Sequence, residues 1–119
     1  MRNLCIQIQS KRAPALDVET LRSLCDALAK NSPLVNRITY VEGDDNGPYL
    51  NLMFETENLE ALWNLLKINL YGDSNSGHFI GQASIATCEG SKGWDNFLLL
   101  HHFDRTLKLD GFSGRKFHE

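Results

Sequence analysis

The sequence predicts a single α+β domain, because short strands alternate with two amphipathic helices along most of its 119 residues. Hydrophobic residues make up 42% of the chain and charged residues 23%, the mix of a globular domain that buries a core. The sequence contains no internal repeat and no linker that would divide it. We therefore expect one α+β domain over residues 1–107 and a C-terminal tail over residues 108–119.

The first two elements follow from hydrophobic periodicity. Leu4, Ile6 and Ile8 alternate with more polar residues, which predicts a strand with one wet face. Asp17 is a good N-cap for the helix that follows, and Asn31 ends that helix. Its apolar stripe consists of Val18, Leu21, Leu24, Cys25 and Leu28.

A β-hairpin and a second helix come next. Two alternating segments flank the turn-forming run from Gly43 to Pro48, so the loop of the hairpin should be longer than two residues. Thr56 or Asn58 can cap the second helix, and Gly72 is a natural C-terminal stop. The apolar residues of this second helix recur at spacings of three and four residues, which predicts that one face of the helix is packed.

The last third of the chain adds two strands. The polar, glycine-rich segment 73–81 is expected to be a surface loop, and alternation from Ala83 to Thr87 predicts a fourth strand. The nearly continuous apolar run from Asn96 to Phe103 is typical of a fifth strand that is central or covered on both faces. The first six elements match the split plan of ferredoxin-like domains. We expect a ferredoxin-like β-α-β-β-α-β sheet with two helices on one face, extended by a fifth C-terminal strand.

The distribution of charge is more informative than the net charge of −3. That sum argues against binding to nucleic acid or anionic lipid through bulk charge. Of the 15 acids, however, six lie between Arg37 and Lys67 without a base, which leaves nine acids and all 12 bases elsewhere. A solvated acidic edge explains this segment without a partner, whereas a docking surface for a basic protein would use it to steer association.

The ends and the cysteines of the chain predict a cytoplasmic protein. Gln7 and Gln9 interrupt the apolar run that a signal peptide would need, and no apolar run reaches the roughly 18 residues of a membrane span. Cys5, Cys25 and Cys88 form no CxxC pair, and their odd number suits a reducing compartment. We interpret them as small buried apolar residues rather than reactive thiols.

No motif in the sequence points to catalysis, a metal or another cofactor. The adjacent His101 and His102 would point to opposite faces of a strand, so they cannot easily share a metal ion. Glu89, Asp95 and Asp104 lie near His102 in the sequence, but carboxylates in turns are usually solvated or capping groups. An enzyme that uses Glu89, Asp95 or His102 in a pocket is the weakest of three hypotheses, and no cofactor is expected.

One stretch of the sequence resembles a known family. Residues 88–104, CEGSKGWDNFLLLHHFD, resemble the C-terminal hairpin of small α+β immunity proteins of bacterial polymorphic-toxin systems, including contact-dependent growth inhibition. The chain length and the acidic segment are similar too. The resemblance implies a non-enzymatic inhibitor that binds its cognate toxin, often a nuclease with a basic cleft, in the cytoplasm. No catalytic residue carries over, because such proteins act by occlusion.

The expected contact residues combine the acidic segment with aromatic anchors, the residue type that dominates interface energies. They are Glu42, Asp44, Asp45, Tyr49, Glu55, Glu57, Glu60, Trp94 and Asp95. Neither nucleic acid nor a membrane is expected as a partner, and we expect the chain to be a monomer or a homodimer. The alternative is a small-ligand-binding regulatory module of the ferredoxin-like type, in which two subunits pair side by side and bind a metabolite between them.

Overall fold

A computed structural model describes residues 1–72 and 75–112 of the chain. Five strands and three α-helices occur in this part, together with a short 3-10 turn at Ser10–Arg12. The strands are β1 (Arg2–Ile8), β2 (Arg37–Asp44), β3 (Pro48–Thr56), β4 (Ser84–Gly90) and β5 (Gly93–His102). The helices are α1 (Val18–Asn31), α2 (Leu59–Asn69) and α3 (Asn75–Ala83).

The five strands form one antiparallel sheet in the order β2-β3-β1-β4-β5. β1 is the central strand, where Leu4 lies opposite Phe54 of β3 on one side and Cys88 of β4 on the other. The predicted α+β class is confirmed, and β5 extends the sheet at one edge through its pairing with β4.

The core lies on one face of this sheet, which we call the covered face. Alternate residues of β1, β3 and β4 are buried there, as the period of two requires. All three helices contribute side chains to the same core, among them Cys25 of α1, Leu66 of α2 and Ile80 of α3. The residues between the buried ones are only half-buried, so the second face of the sheet differs sharply from the first.

The predicted N-terminal helix caps are present, whereas α2 ends at Asn69 with Leu70 as its C-cap, before the expected stop at Gly72. Asp17 accepts hydrogen bonds from the backbone N–H groups of Glu19 and Thr20 at the start of α1. Of the two candidates for α2, Asn58 is the cap, because its side chain accepts from the Ala61 N–H at 3.1 Å. The hairpin connection is also longer than two residues, since Asp45–Gly47 separate β2 from β3.

The prediction of a loop over residues 73–81 is wrong, because α3 occupies residues 75–83; residues 73 and 74 lie outside the described part. Ile80 and Ala83 are buried three positions apart on one side of α3, so packing outweighs the low helix propensity of its glycines. Gly77 also lies directly against the backbone of Gly72, where a Cβ atom would collide with the Gly72 carbonyl.

The expectation that β5 is central or covered on both faces is also wrong. β5 is an edge strand, in which Leu100 is buried but Phe97 is 50% exposed. The register shows the reason: Cys88 pairs with Leu98 and Gly90 pairs with Gly93, so residues 94–97 all lie opposite a single β4 residue. We call residues 94–97 the β5 bulge. Bulges of this kind interrupt the ladder and redirect side chains.

The predicted tail is described as far as residue 112, and residues 113–119 lie outside the described part. The Asp110 N–H donates to the Leu99 carbonyl at 2.7 Å, and the Asp110 carboxylate accepts from the Leu99 N–H at 2.8 Å. Phe112 is buried in the core. Residues 110–112 therefore pack against the domain along β5. None of the described helices combines the length and the apolar character needed to cross a membrane.

Candidate functional site

The acidic segment is divided between the two ends of the sheet. Glu42, Asp44 and Asp45 lie at the end that carries the β2–β3 connection, which we call the hairpin end. Glu55 and Glu57 lie at the other end of β3, a strand whose nine residues span roughly 26 Å. Glu60 follows in the first turn of α2. Arg2 of β1 lies opposite Thr56 and donates to the Gly90 carbonyl, so the β4–β5 turn and the β5 bulge lie at this second end of the sheet. We call it the bulge end.

Three of the six acids are paired with cations from outside the acidic segment or at its border. A Glu42 carboxylate oxygen lies 2.6 Å from an Arg22 nitrogen on α1. Glu55 lies 3.9 Å from Arg37 on the neighbouring strand, and Glu57 lies 3.8 Å from the N-terminal amino group. The excess of acid along the sequence is thus partly compensated in space.

The two expected aromatic anchors are also separated. Tyr49 lies at the hairpin end, half-buried, with its ring against Gly43 so closely that a Cβ atom there would collide with it. Trp94 lies in the β5 bulge at the other end, 42% exposed. The nine expected contact residues therefore form two groups, of which the bulge end holds Glu55, Glu57, Glu60, Trp94 and Asp95.

The β5 bulge is held in place by Asn96. The Asn96 side-chain oxygen accepts from the Lys92 N–H at 2.8 Å, and its amide nitrogen donates to the Ser91 hydroxyl at 3.0 Å. The backbone of Asn96 also approaches Gly90 so closely that only glycine fits there without a shift. These contacts turn Trp94, Asp95 and Phe97 towards solvent, each more than a third exposed. Sequence reasoning missed Phe97, because the apolar run that contains it was interpreted as core.

Among the candidate acid–base residues, only Asp104 is shown beside His102. The Asp104 backbone N–H donates to His102 Nδ1 at 2.9 Å, while its carboxylate accepts from the N–H and the hydroxyl of Thr106.

Glu89 and Asp95 are not brought together with His102. Glu89 lies beside β1, where its carboxylate accepts from the backbone and the side-chain amide of Asn3 at 2.7 and 2.8 Å. His102 pairs with Ile85, four residues from Glu89 along β4, which corresponds to about 13 Å. Asp95 is exposed on the β5 bulge. These three residues therefore do not form an acid–base pair.

The two adjacent histidines lie at different places in the sheet. His101 pairs with the buried Ala86, whereas His102 pairs with the half-buried Ile85, so they face opposite sides of the sheet. The His101 ring lies 4.8 Å from the Tyr71 ring, and its Nε2 lies 2.9 Å from the Gly81 carbonyl. Among the described residues, no three histidine, cysteine or acidic side chains are grouped as a metal site would require.

The cysteines have the character of apolar side chains. Cys25 and Cys88 are buried, and Cys5 is half-buried on β1. Burial raises the pKa of the Cys25 thiol to about 12 and that of Cys5 to about 11. Thiols with such pKa values are protonated at neutral pH and are poor nucleophiles.

A cleft of about 330 Å³ opens at the hairpin end, between the 3-10 turn and the β2–β3 connection. We call it the hairpin cleft. Its functional groups come from β1 and the 3-10 turn on one side and from the hairpin on the other. They belong to Gln7, Gln9, Lys11, Arg12, Asp45, Asn46 and Tyr49.

Comparison of the chain with models of protein families, with curated proteins and with solved structures finds no significant match. The resemblance to immunity proteins therefore stays a prediction.

Proposed function

We propose that this protein is an immunity protein, which binds a cognate toxin of the nuclease type and neutralises it by occlusion in the cytoplasm. The observation that carries the proposal is the β5 bulge, which presents Trp94 and Phe97 to solvent on either side of Asp95. Aromatic side chains dominate the energetics of protein interfaces when a partner buries them.

The position of the β5 bulge supports this role. A bulge gives up ladder hydrogen bonds at the edge of a sheet and re-aims its side chains, so it is a built feature rather than a defect. Here the bulge exposes two large apolar side chains, Trp94 and Phe97, whereas Leu100 further along the same strand is buried. Asp95 between them is exposed and supplies a negative charge that would complement a base on a toxin surface.

The proposal includes a ferredoxin-like fold for the first six elements. In the split βαβ plan each helix connects strands that have a third strand between them. The observed order supports this plan, since β3 lies between β1 and β2, and β1 lies between β3 and β4. β5 then extends the sheet and carries the binding surface at its edge.

Co-expression with the protein encoded immediately upstream tests the proposal. The wild-type chain should form a complex with that protein and protect cells from its toxicity. Trp94→Ala should weaken the complex by about thirtyfold, the effect of removing an interface hot spot of about 2 kcal/mol. Ile68→Ala is the matched control, because Ile68 is 76% exposed on α2 and lies outside the bulge. Absence of both a complex and protection would contradict the proposal.

Charge-reversal variants in the same assay distinguish toxin binding at the bulge end from toxin binding at the hairpin end. Asp95→Lys should slow association and reduce its dependence on salt, because an exposed interface charge acts mainly through steering. The double variant Asp44→Lys, Asp45→Lys changes the hairpin end only. If the double variant weakens the complex while Trp94→Ala and Asp95→Lys do not, the toxin binds at the hairpin end and the proposed surface is wrong.

The second candidate function is a small-ligand-binding regulatory module. The hairpin cleft favours it, because 330 Å³ lies within the usual range for small-ligand sites, about 300–1,000 Å³. A stable dimer in analytical ultracentrifugation, with a melting temperature that rises on addition of a metabolite, would support this function over the first.

A further inference from the structure

We propose that the hairpin cleft binds the oxyanion group, phosphate or carboxylate, of a small molecule. The cleft lies at the opposite end of the sheet from the β5 bulge, so this site is independent of the proposed toxin-binding surface. Three features of the cleft support this site: the charge of the lining residues, the fixed orientation of Arg12 and the direction of the hydrogen bonds along the cleft wall.

Two adjacent cations line the cleft. Lys11 and Arg12 both belong to the 3-10 turn, and the Lys11 chain packs against Gly47 of the hairpin, with its Cδ 3.2 Å from the place where a Cβ would lie. No ion pair between either cation and an acid occurs among the described residues. Asp45 carries the one negative charge among the lining residues, so the cleft keeps a net positive charge.

Arg12 is held in one orientation. Its guanidinium carbon lies 3.5 Å from the centre of the Phe103 ring, a cation–π contact, and its Nε donates to the Gln9 side-chain oxygen at 2.8 Å. A free arginine side chain loses up to about 2 kcal/mol of rotamer entropy when a ligand orders it. Because these contacts already order Arg12, its two terminal nitrogens can meet a planar or tetrahedral oxyanion with less of that loss.

The hydrogen bonds along the wall leave a donor for the ligand. Arg12 Nε can only donate, so the Gln9 oxygen must be the acceptor and the Gln9 amide nitrogen then donates to the Gln7 oxygen at 2.9 Å. The Gln7 amide nitrogen is therefore the donor at the end of this chain. Ammonium, guanidinium and amide N–H groups together form a donor set that selects an acceptor-only group, which an oxyanion is.

Titration of the ¹⁵N-labelled full chain with sodium phosphate, followed by amide NMR shifts, tests the site. Sodium acetate is the second arm, and sodium chloride at equal ionic strength is the control. We expect saturable shifts of the Gln7 and Gln9 side-chain amides and of Arg12 Nε with phosphate, acetate or both. The arm that saturates at the lower concentration identifies the group. Shifts that chloride reproduces, or that never saturate in either arm, would overturn the proposal.

Two variants assign the binding to the cations. Arg12→Gln and Lys11→Gln should each weaken oxyanion binding by about tenfold, which corresponds to the loss of one charge-assisted hydrogen bond. Lys11→Gln leaves the contact of Arg12 with Phe103 in place, so it separates lost binding from local unfolding. Lys30→Gln, in the last turn of α1, is the matched control and should bind as the wild type does. Wild-type affinity in both cleft variants would refute the site, while the Trp94→Ala result would still decide the toxin proposal separately.

Discussion

At the scale of the residue, His101 is held by one ring and one carbonyl group. Its Nε2 must be the donor in the 2.9 Å hydrogen bond to Gly81, because a carbonyl oxygen only accepts. The ring lies against the Tyr71 ring at an interplanar angle of 45°, and the Tyr71 hydroxyl lies 2.8 Å from the Ser84 hydroxyl. Burial lowers the pKa of His101, and the bond to Gly81 opposes that change only in part.

This lowered pKa predicts a dependence of stability on pH. The unfolded chain binds a proton at about pH 6.5, while the folded chain binds it only at lower pH. The stabilisation is therefore complete above about pH 6.5 and is lost as the pH falls towards the folded pKa. Between about pH 7.5 and about pH 5.5, urea unfolding should show a larger loss of stability for the wild type than for His101→Gln.

His78→Gln is the control for this prediction. His78 is exposed on α3, and its ring lies 3.3 Å from the Gln82 side chain. The variant keeps His101 and should show the same loss as the wild type. An equal loss in His101→Gln would mean that another group causes the dependence on pH.

At the scale of the element, the close approach of Gly90 to Asn96 decides the shape of the β4–β5 hairpin. The backbone of Asn96 occupies the place where a Cβ of residue 90 would lie. Gly93 also adopts a left-handed conformation, with φ of 75°, at the start of β5. The β5 bulge therefore depends on two glycines as well as on the Asn96 side chain.

Gly90→Ala should lower the free energy of unfolding by about 1–3 kcal/mol, the usual cost of forcing an atom into packed structure. The clash is with backbone, so it can be relieved only by moving the bulge itself. If the proposed function holds, the same substitution should also weaken toxin binding, because Trp94 and Phe97 would be displaced.

Gly111→Ala is the matched control, since a Cβ at residue 111 meets nothing within 4 Å. Its effect on the free energy of unfolding should stay within about 0.5 kcal/mol. If denaturant titration shows an equally small loss of unfolding free energy for Gly90→Ala, the bulge accommodates a Cβ at residue 90 despite its close contacts.

At the scale of the whole molecule, the sheet has two unlike faces. Along β3 the covered face presents Leu52 and Phe54, both completely buried, and the second face presents Asn51 and Met53, both half-buried. The Asn51 side-chain oxygen is buried and has no hydrogen-bond partner among the described residues. One core on one face should make the domain unfold in a single transition.

Two neighbouring residues of β3 test this asymmetry. Leu52→Ala should lower the free energy of unfolding by about 2–5 kcal/mol, because it opens a cavity in the core. Met53→Ala, one residue further on the second face, should lower it by about 1 kcal/mol. Equal losses in chemical denaturation would mean that the second face is covered as well, as a face-to-face dimer would cover it.

Much of the local structure could be predicted, but little of the candidate sites. The alternation that predicts β1 and the cap at Asp17 depend on residues within a few positions of each other. The position of β5 depends on which strand it pairs with, and the apolar run from Phe97 to Leu100 looks the same at an edge as in the centre of a sheet. Phe97 was therefore assigned to the core, although the bulge exposes it.

The charges show the same division between sequence and tertiary structure. The sequence by itself determined that acids are concentrated between residues 38 and 66 and that two amphipathic helices accompany an antiparallel sheet. Only the tertiary structure decided that Arg22 neutralises Glu42, that the remaining acids lie at two ends of β3, and that Lys11 and Arg12 meet Asp45 in one cleft. The physical reason is that periodicity and capping act between near neighbours, whereas ion pairs, clefts and edges form between residues that only the folded chain brings together.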